Sequence, residues 1–197
     1  EADPAMYENA RQCLEVLPAR TLVNLYGPTE CTINASSWDV TAAGLADAPN
    51  VLAIGKPVAG TTFHVLDEQM RPVGEGNIGE LHIGGVQLAR GYLHRPELNS
   101  EKFTMLSMDG SSAATRLYRT GDLVRRDCHG DHHFIGRKDN QVKVRGFRIE
   151  LDEIRLAIEN HPWVKSCGVL LKDDPGSGAK ALIACVELNS REAALMD

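Results

Sequence analysis

The sequence predicts a mixed α/β and α+β protein built in two parts. Three observations carry this reading. A helical stripe of apolar residues opens the chain, and short strands with turn punctuation fill the middle, from about 55 to 136. At "GRKDNQVKVRG" polar residues break that pattern, and a smaller helix–strand–strand run follows. The boundary is placed near Asp139, giving parts 1–138 and 139–197.

Pro4 to Val16 reads as a helix, with Met6, Ala10, Cys13, Leu14 and Leu17 on one stripe and Pro18 as its stop. "TLVNLY" is apolar and β-branched enough for a short buried strand, turned by "GPTE". "SSWDV" is a further strand, and the small polar residues Thr41 to Asn50 read as a surface loop. "TTFHVLDE", "GELHIGG" and "RLYRTGDLVRRD" are strands, the last bending at its Gly. "PELNSEKF" is a short helix with Pro in its first turn. "LVRRDCHGDHHFIGR" reads as a hairpin with "HG" at its tip. After the break come a helix (Asp152 to Asn160, stopped by Pro162) and two strands (Val164 to Leu171, Ala181 to Leu188). Ser190, an N-cap residue, opens a last helix.

Composition narrows the function classes. The chain has 197 residues, 43% hydrophobic and 24% charged, as expected of a globular protein. No apolar run approaches the roughly 18 residues of a membrane span, and the start "EADPAMYENARQ" lacks a signal peptide's basic and apolar regions. Five Cys without a CxxC indicate neither a disulfide framework nor a zinc knuckle, and fit a cytoplasmic location. A net charge of -6 argues against general nucleic-acid binding. From Arg116 to Glu150, however, nine Lys or Arg face five Asp or Glu, so this segment is locally positive and suited to a phosphorylated ligand or to a solvated surface.

Two motifs are set aside. "GEGNIG" matches GxGxxG but precedes a strand, whereas a dinucleotide fingerprint follows a strand and opens a helix. "DCHGDHHF" gathers Cys128, His129, His132 and His133, but neighbours on a strand point to opposite faces, so His132 and His133 do not readily share a metal. "NLYGPTE", Asn24 to Glu30, holds more chemistry. Tyr26 offers a flat face for a heterocycle, and Gly27 and Pro28 force a turn. Thr29 can donate to a phosphate oxygen, and Glu30 can hold magnesium together with phosphate oxygens. "YRTGDL" places Asp122 in a Gly-loosened turn, where a carboxylate can accept both hydroxyls of a ribose. "GRKDNQVKVRGFRIEL" adds Arg137, a fork suited to ribose or phosphate oxygens.

These blocks, with "GELHIGGVQLARGYL" between them and in this order, resemble the adenylate-forming enzymes, and more closely the adenylation domains of nonribosomal peptide synthetases. The resemblance covers nearly the whole chain. It implies the C-terminal portion of an adenylate-forming fold: the end of the large N-terminal subdomain with a small β-barrel-like region, then a small α+β subdomain. It implies that ATP and an amino acid or related acid give an acyl adenylate, which passes to the phosphopantetheine thiol of a carrier domain.

By motif, Asn24, Tyr26, Gly27, Asp122 and Arg137 would bind the nucleotide, and Thr29 and Glu30 would be catalytic, Glu30 through Mg2+. Leu25, Ile33 and Asn34 would line the substrate pocket, Asp139 would be the hinge, and Arg145 and Gly146 would border the pantetheine path. The partners implied are a small carboxylic acid and a carrier domain, with no nucleic acid and no membrane.

The family's Gly/Ser/Thr/Lys-rich phosphate loop and its amine-binding Asp would lie upstream of Glu1, and its C-terminal catalytic Lys beyond Asp197. The chain is therefore expected to be a fragment inactive by itself, and pyrophosphate exchange by these residues alone would refute that. The same motifs also fit a fragment of an acyl-CoA or aryl-acid ligase, of an adenylating carboxylic acid reductase, or a non-catalytic remnant that binds nucleotide or a carrier.

Overall fold

In a computed structural model, residues 4–17, 20–47, 51–107, 114–139, 141–144, 147–173 and 180–189 are described. They fall into two compact units that divide between Lys138 and Asp139. All pairings among the described strands are antiparallel, which makes the architecture α+β.

The first unit begins with helix α1 (Pro4–Val16), strand β1 (Leu22–Tyr26), a single 3-10 turn (Thr29–Cys31) and strand β2 (Ser36–Val40). Helix α2 (Ala42–Asp47) and strands β3 (Ala53–Pro57), β4 (Thr61–Leu66) and β5 (Ile78–Gly85) follow. Helix α3 (Pro96–Lys102) and strands β6 (Phe103–Ser107), β7 (Ala114–Arg126) and β8 (His132–Arg137) complete it. The sheet runs in the order β1-β2-β3-β8-β7-β5-β4, with β6 also on β7. The 13-residue β7 is its spine: β5 lies along one edge, while β6 and β8 share the other. Its pairing with β8 shifts register between Leu123 and Val124, just after Gly121 at φ 75. That conformation favours glycine and produces the expected bend.

The main core is Cys31, Ala35, Ile54, Leu81, Ile83, Tyr118, Val124 and Phe134, with Tyr26, Phe63 and Phe103 packed against it. A smaller core of Ala10, Val40 and Leu45 lies beneath α1, joined by Tyr7, Leu14 and Trp38. The stripe of α1 is therefore narrower than the sequence suggests, because Tyr7 rather than Met6 or Leu17 turns inward.

Two expectations are corrected, and two strands go unread in the sequence. Residues 42–47 form α2 instead of loop: the Thr41 hydroxyl caps the Gly44 N–H at 3.1 Å, and Leu45 is buried. β1 is half-exposed instead of buried, its side chains alternating between the core and the opposite face. β3 goes unread because Gly55 and Pro57 disguise a strand. Gly55 has φ 75, and a Cβ there would sit 2.1 Å from the Ser37 carbonyl oxygen, so only glycine lets β3 reach β2. β6 goes unread because it follows α3 without a turn.

In the second unit, β9 (Gln141–Val144) and β10 (Phe147–Glu150) form a hairpin inside the polar block that reads as a break in pattern. Helix α4 (Leu151–Glu159) packs on β11 (Val164–Asp173), which pairs with β12 (Lys180–Leu188). Glu159 Oε1 accepts from the Cys167 N–H at 3.0 Å, tying helix end to strand. Pro18, Ser190, Arg145 and Gly146 lie outside the described residues. No described helix is long and apolar enough to cross a membrane.

Candidate active site

Asp122 is the centre of one cluster. Strand register sets it directly opposite Arg137, whose Nη1 donates to Asp122 Oδ1. Arg137 Nη2 donates to the Thr120 carbonyl at 3.0 Å. The Tyr26 hydroxyl, brought from the end of β1, donates to Asp122 Oδ2. The Thr120 hydroxyl accepts from the Asp122 N–H at 3.0 Å and donates to the Leu81 carbonyl at 2.7 Å. Only 6% of Asp122 is exposed, so its charge depends on these partners. Burial first, and then the Asp122 charge, push the Tyr26 phenol well above its usual pKa, which keeps it a neutral donor. Tyr26 and Arg137, both singled out in the sequence and 96 and 15 positions from Asp122, thus share its carboxylate. Thr120 escapes a reading of the sequence, although it stands two residues before Asp122 in the same block.

A second cluster is built on the turn after Tyr26. Cys31 N donates to the Pro28 carbonyl at 2.9 Å, and Ala35 N to the Tyr26 carbonyl at 2.8 Å, so the chain closes on itself over ten residues. Gly27 is required there, since a Cβ would lie 2.2 Å from the Ile33 carbonyl oxygen. Thr32 and Ile33 hold φ of 54 and 73. For β-branched residues this is strained backbone. Glu30 is 9% exposed and accepts at Oε1 from the Tyr92 hydroxyl at 2.5 Å. Its carbonyl accepts from Ala89 N at 2.8 Å, and the Thr32 hydroxyl donates to the Gln87 carbonyl at 2.7 Å. Thr29 is exposed beside it.

One buried carboxylate suits a magnesium ion, which uses one or two carboxylates and takes its other oxygens from phosphate and water. No group of three His, Cys, Asp or Glu suited to a metal occurs among the described residues.

The other sequence candidates lie around these clusters. Asn24 shares the Tyr26 face of β1, and its amide donates to the Ala53 carbonyl at 2.7 Å, a tie to β3. Leu25 points the other way and is 53% exposed; Ile33 is 70% exposed, and Asn34 is exposed too. Asp139 opens the second unit, and its Oδ1 accepts from Gln141 N at 3.2 Å. Just before it, Lys138 is held to the first unit: its N–H donates to the Gly121 carbonyl at 2.8 Å, and its Nζ lies 3.7 Å from the buried Glu80, which Arg119 also pairs at 3.2 Å.

His132 and His133 have separate partners. His132 Nδ1 meets the Gly55 carbonyl at 3.0 Å, and His133 Nε2 meets Asp127 Oδ2 at 2.7 Å. Burial pushes the pKa of His132 down, and that of His82 as well, so both are neutral in the folded protein. The unfolded chain takes up these protons near pH 6.5, which favours unfolding below that value. Stability is therefore complete above about pH 6.5 and falls as pH drops through 6. Urea midpoints at pH 7.5 and 5.5 test this, and a midpoint that does not move would refute it.

This chain matches the AMP-binding enzyme family over residues 2–93. It is 54% identical over 189 residues to indigoidine synthase of Streptomyces lavendulae, covering 95% of this chain and 15% of that protein. It is 42% identical over 160 residues to malpinin synthetase of Mortierella alpina, covering 81% of this chain and 2% of that protein. Among solved structures, an NRPS protein containing adenylation and PCP domains superposes with a TM-score of 0.78 at 33% identity, over 96% of this chain and 38% of its own. The chain thus spans a small part of the curated relatives it matches.

Proposed function

We propose that the chain, which matches the AMP-binding enzyme family over residues 2–93, is part of an adenylation domain activating an amino acid or related carboxylic acid with ATP. A carboxylate oxygen of the acid attacks the α-phosphorus of ATP; the bond from that phosphorus to the bridging oxygen breaks, and pyrophosphate leaves. The acyl adenylate then gives its acyl group to a carrier-domain phosphopantetheine thiol, releasing AMP. Little covalent chemistry falls to the protein, so its work is placement and charge stabilisation.

The observation that carries this reading is the Tyr26–Asp122–Arg137 cluster. It sets a charged acceptor for ribose hydroxyls beside an aromatic ring suited to adenine. Asn24 and Gly27 support that ring, one by its tie to β3 and the other by permitting the turn. Thr29 donates to the α-phosphate, and Glu30 holds Mg2+, which neutralises phosphate charge. Leu25, Ile33 and Asn34, exposed around the turn, border the acid's side chain. Asp139, at the division between units, is the hinge in this reading, and the pantetheine path is assigned to Arg145 and Gly146 by motif alone.

The test is ATP–pyrophosphate exchange by the full-length protein against a panel of amino and aryl acids. Exchange with one acid, lost in Asp122→Ala, is expected. Exchange that survives Asp122→Ala would refute the assignment of the nucleotide site.

A further inference from the structure

The Glu30 carboxylate is held from outside its own turn. The Tyr92 hydroxyl reaches Glu30 Oε1 at 2.5 Å from a position 62 residues away. Tyr92 is itself fixed more firmly than a surface tyrosine requires. Its N–H donates to Asn99 Oδ1 at 2.6 Å, and its carbonyl accepts from Asn99 Nδ2 at 2.8 Å, so one α3 side chain clamps both backbone groups. Gly91 has φ 144, and a Cβ there would lie 2.6 Å from Asn99 Oδ1, so glycine is what lets the clamp close. The Tyr92 ring packs on Phe103 with centroids 5.8 Å apart. The same segment braces the turn at its backbone, through Ala89 N to the Glu30 carbonyl.

We propose that Tyr92 is a positioning residue for Glu30: its hydroxyl holds the carboxylate in the orientation in which it meets a divalent cation carried in by a nucleotide. This rests on the reading of Glu30 as the cation ligand. A long glutamate side chain loses rotamer freedom when it binds a cation, and a partner that has already ordered it removes part of that cost. Partners of this kind typically change metal affinity by about 10–100-fold when removed.

The experiment uses the full-length protein and Mn2+ as the probe, read by electron paramagnetic resonance in the presence of a non-hydrolysable ATP analogue. Tyr92→Phe keeps the ring and its packing and deletes only the hydroxyl. Mn2+ affinity in Tyr92→Phe is expected to fall about 10-fold or more, while metal-free AMP binding stays within about twofold, since the Asp122 cluster is untouched. A merely structural role would move both or neither. Unchanged Mn2+ affinity in Tyr92→Phe, with a loss in Glu30→Gln, would overturn this inference alone. Unchanged affinity in both variants would overturn the Glu30 reading and this inference with it. Asn99→Ala supplies a second arm: it releases the clamp without touching Glu30 and is expected to lower Mn2+ affinity in the same direction.

Discussion

Asp122→Ala is expected to abolish measurable AMP binding by the full-length protein and to destabilise the first unit by about 3–5 kcal/mol. The stability loss follows from what the substitution leaves behind. Asp122 and Arg137 are both largely buried, with side chains 8% and 19% exposed. Removing the carboxylate strands a guanidinium charge and the Tyr26 hydroxyl away from water. The binding loss has a separate cause under the proposed nucleotide assignment: two hydrogen bonds from ribose hydroxyls to the carboxylate would contribute about 1.5–3 kcal/mol each, together at least about 100-fold in affinity.

Two further variants separate these effects. Tyr26→Phe keeps the ring and the Asp122–Arg137 pair, and should cost only about 1 kcal/mol of stability. Asp122→Asn keeps the volume but offers one acceptor where two donors point, so it should fall between the two. Chemical denaturation gives the stability order, and calorimetric titration with AMP gives the affinities. An Asp122→Ala protein with wild-type stability would mean the cluster does not bear the charge its geometry implies.

How much of this is legible in the sequence depends on how local the physics is. α1 and α4 are readable because their apolar spacing is set by the helix itself. The bend in β7 is readable because Gly121 announces it. β3 is not, since what lets it pair is a close approach to Ser37 on another strand. The β9–β10 hairpin is hidden because its strands, QVKV and FRIE, alternate polar and apolar residues over only four positions each and are flanked by charged residues, too short a run to stand out as strand. The site divides the same way. Tyr26, Asp122 and Arg137 draw notice because each stands in a dense block, and strand register then sets Asp122 across from Arg137. Tyr92 draws none: its bond to Glu30 spans 62 residues, and a tyrosine after a glycine carries no chemistry until the fold supplies the acid.

Gly27→Ala should produce the second large effect, and through backbone alone. A Cβ at this position would meet the Ile33 carbonyl oxygen at 2.2 Å, the Ala35 nitrogen at 2.6 Å and the Ile33 carbonyl carbon at 2.8 Å. None of these can rotate aside as a side chain would, so the turn itself must open. Opening it strains the Ala35 N–H bond to the Tyr26 carbonyl and moves Tyr26 relative to Glu30. Overpacking of this kind costs about 1–3 kcal/mol, and contacts made wholly by backbone place this case at the upper end. AMP affinity and Mn2+ affinity should fall together, because one turn spaces the aromatic ring from the carboxylate.

The strained residue opposite provides the control. Ile33 holds φ 73 while 70% exposed, so little packing compensates its conformation. Ile33→Gly alone should be near neutral, since relief of about 1–2 kcal/mol of left-handed strain is offset by about 1 kcal/mol of added chain entropy. In the double variant the freed backbone can yield to the new methyl group, so the Gly27→Ala loss should shrink. If the two changes simply add, the clash is absorbed elsewhere. If they couple, the strained pair Thr32–Ile33 is what presses the turn shut around Gly27, and backbone strain holds the Tyr26 ring and the Glu30 carboxylate at a fixed distance.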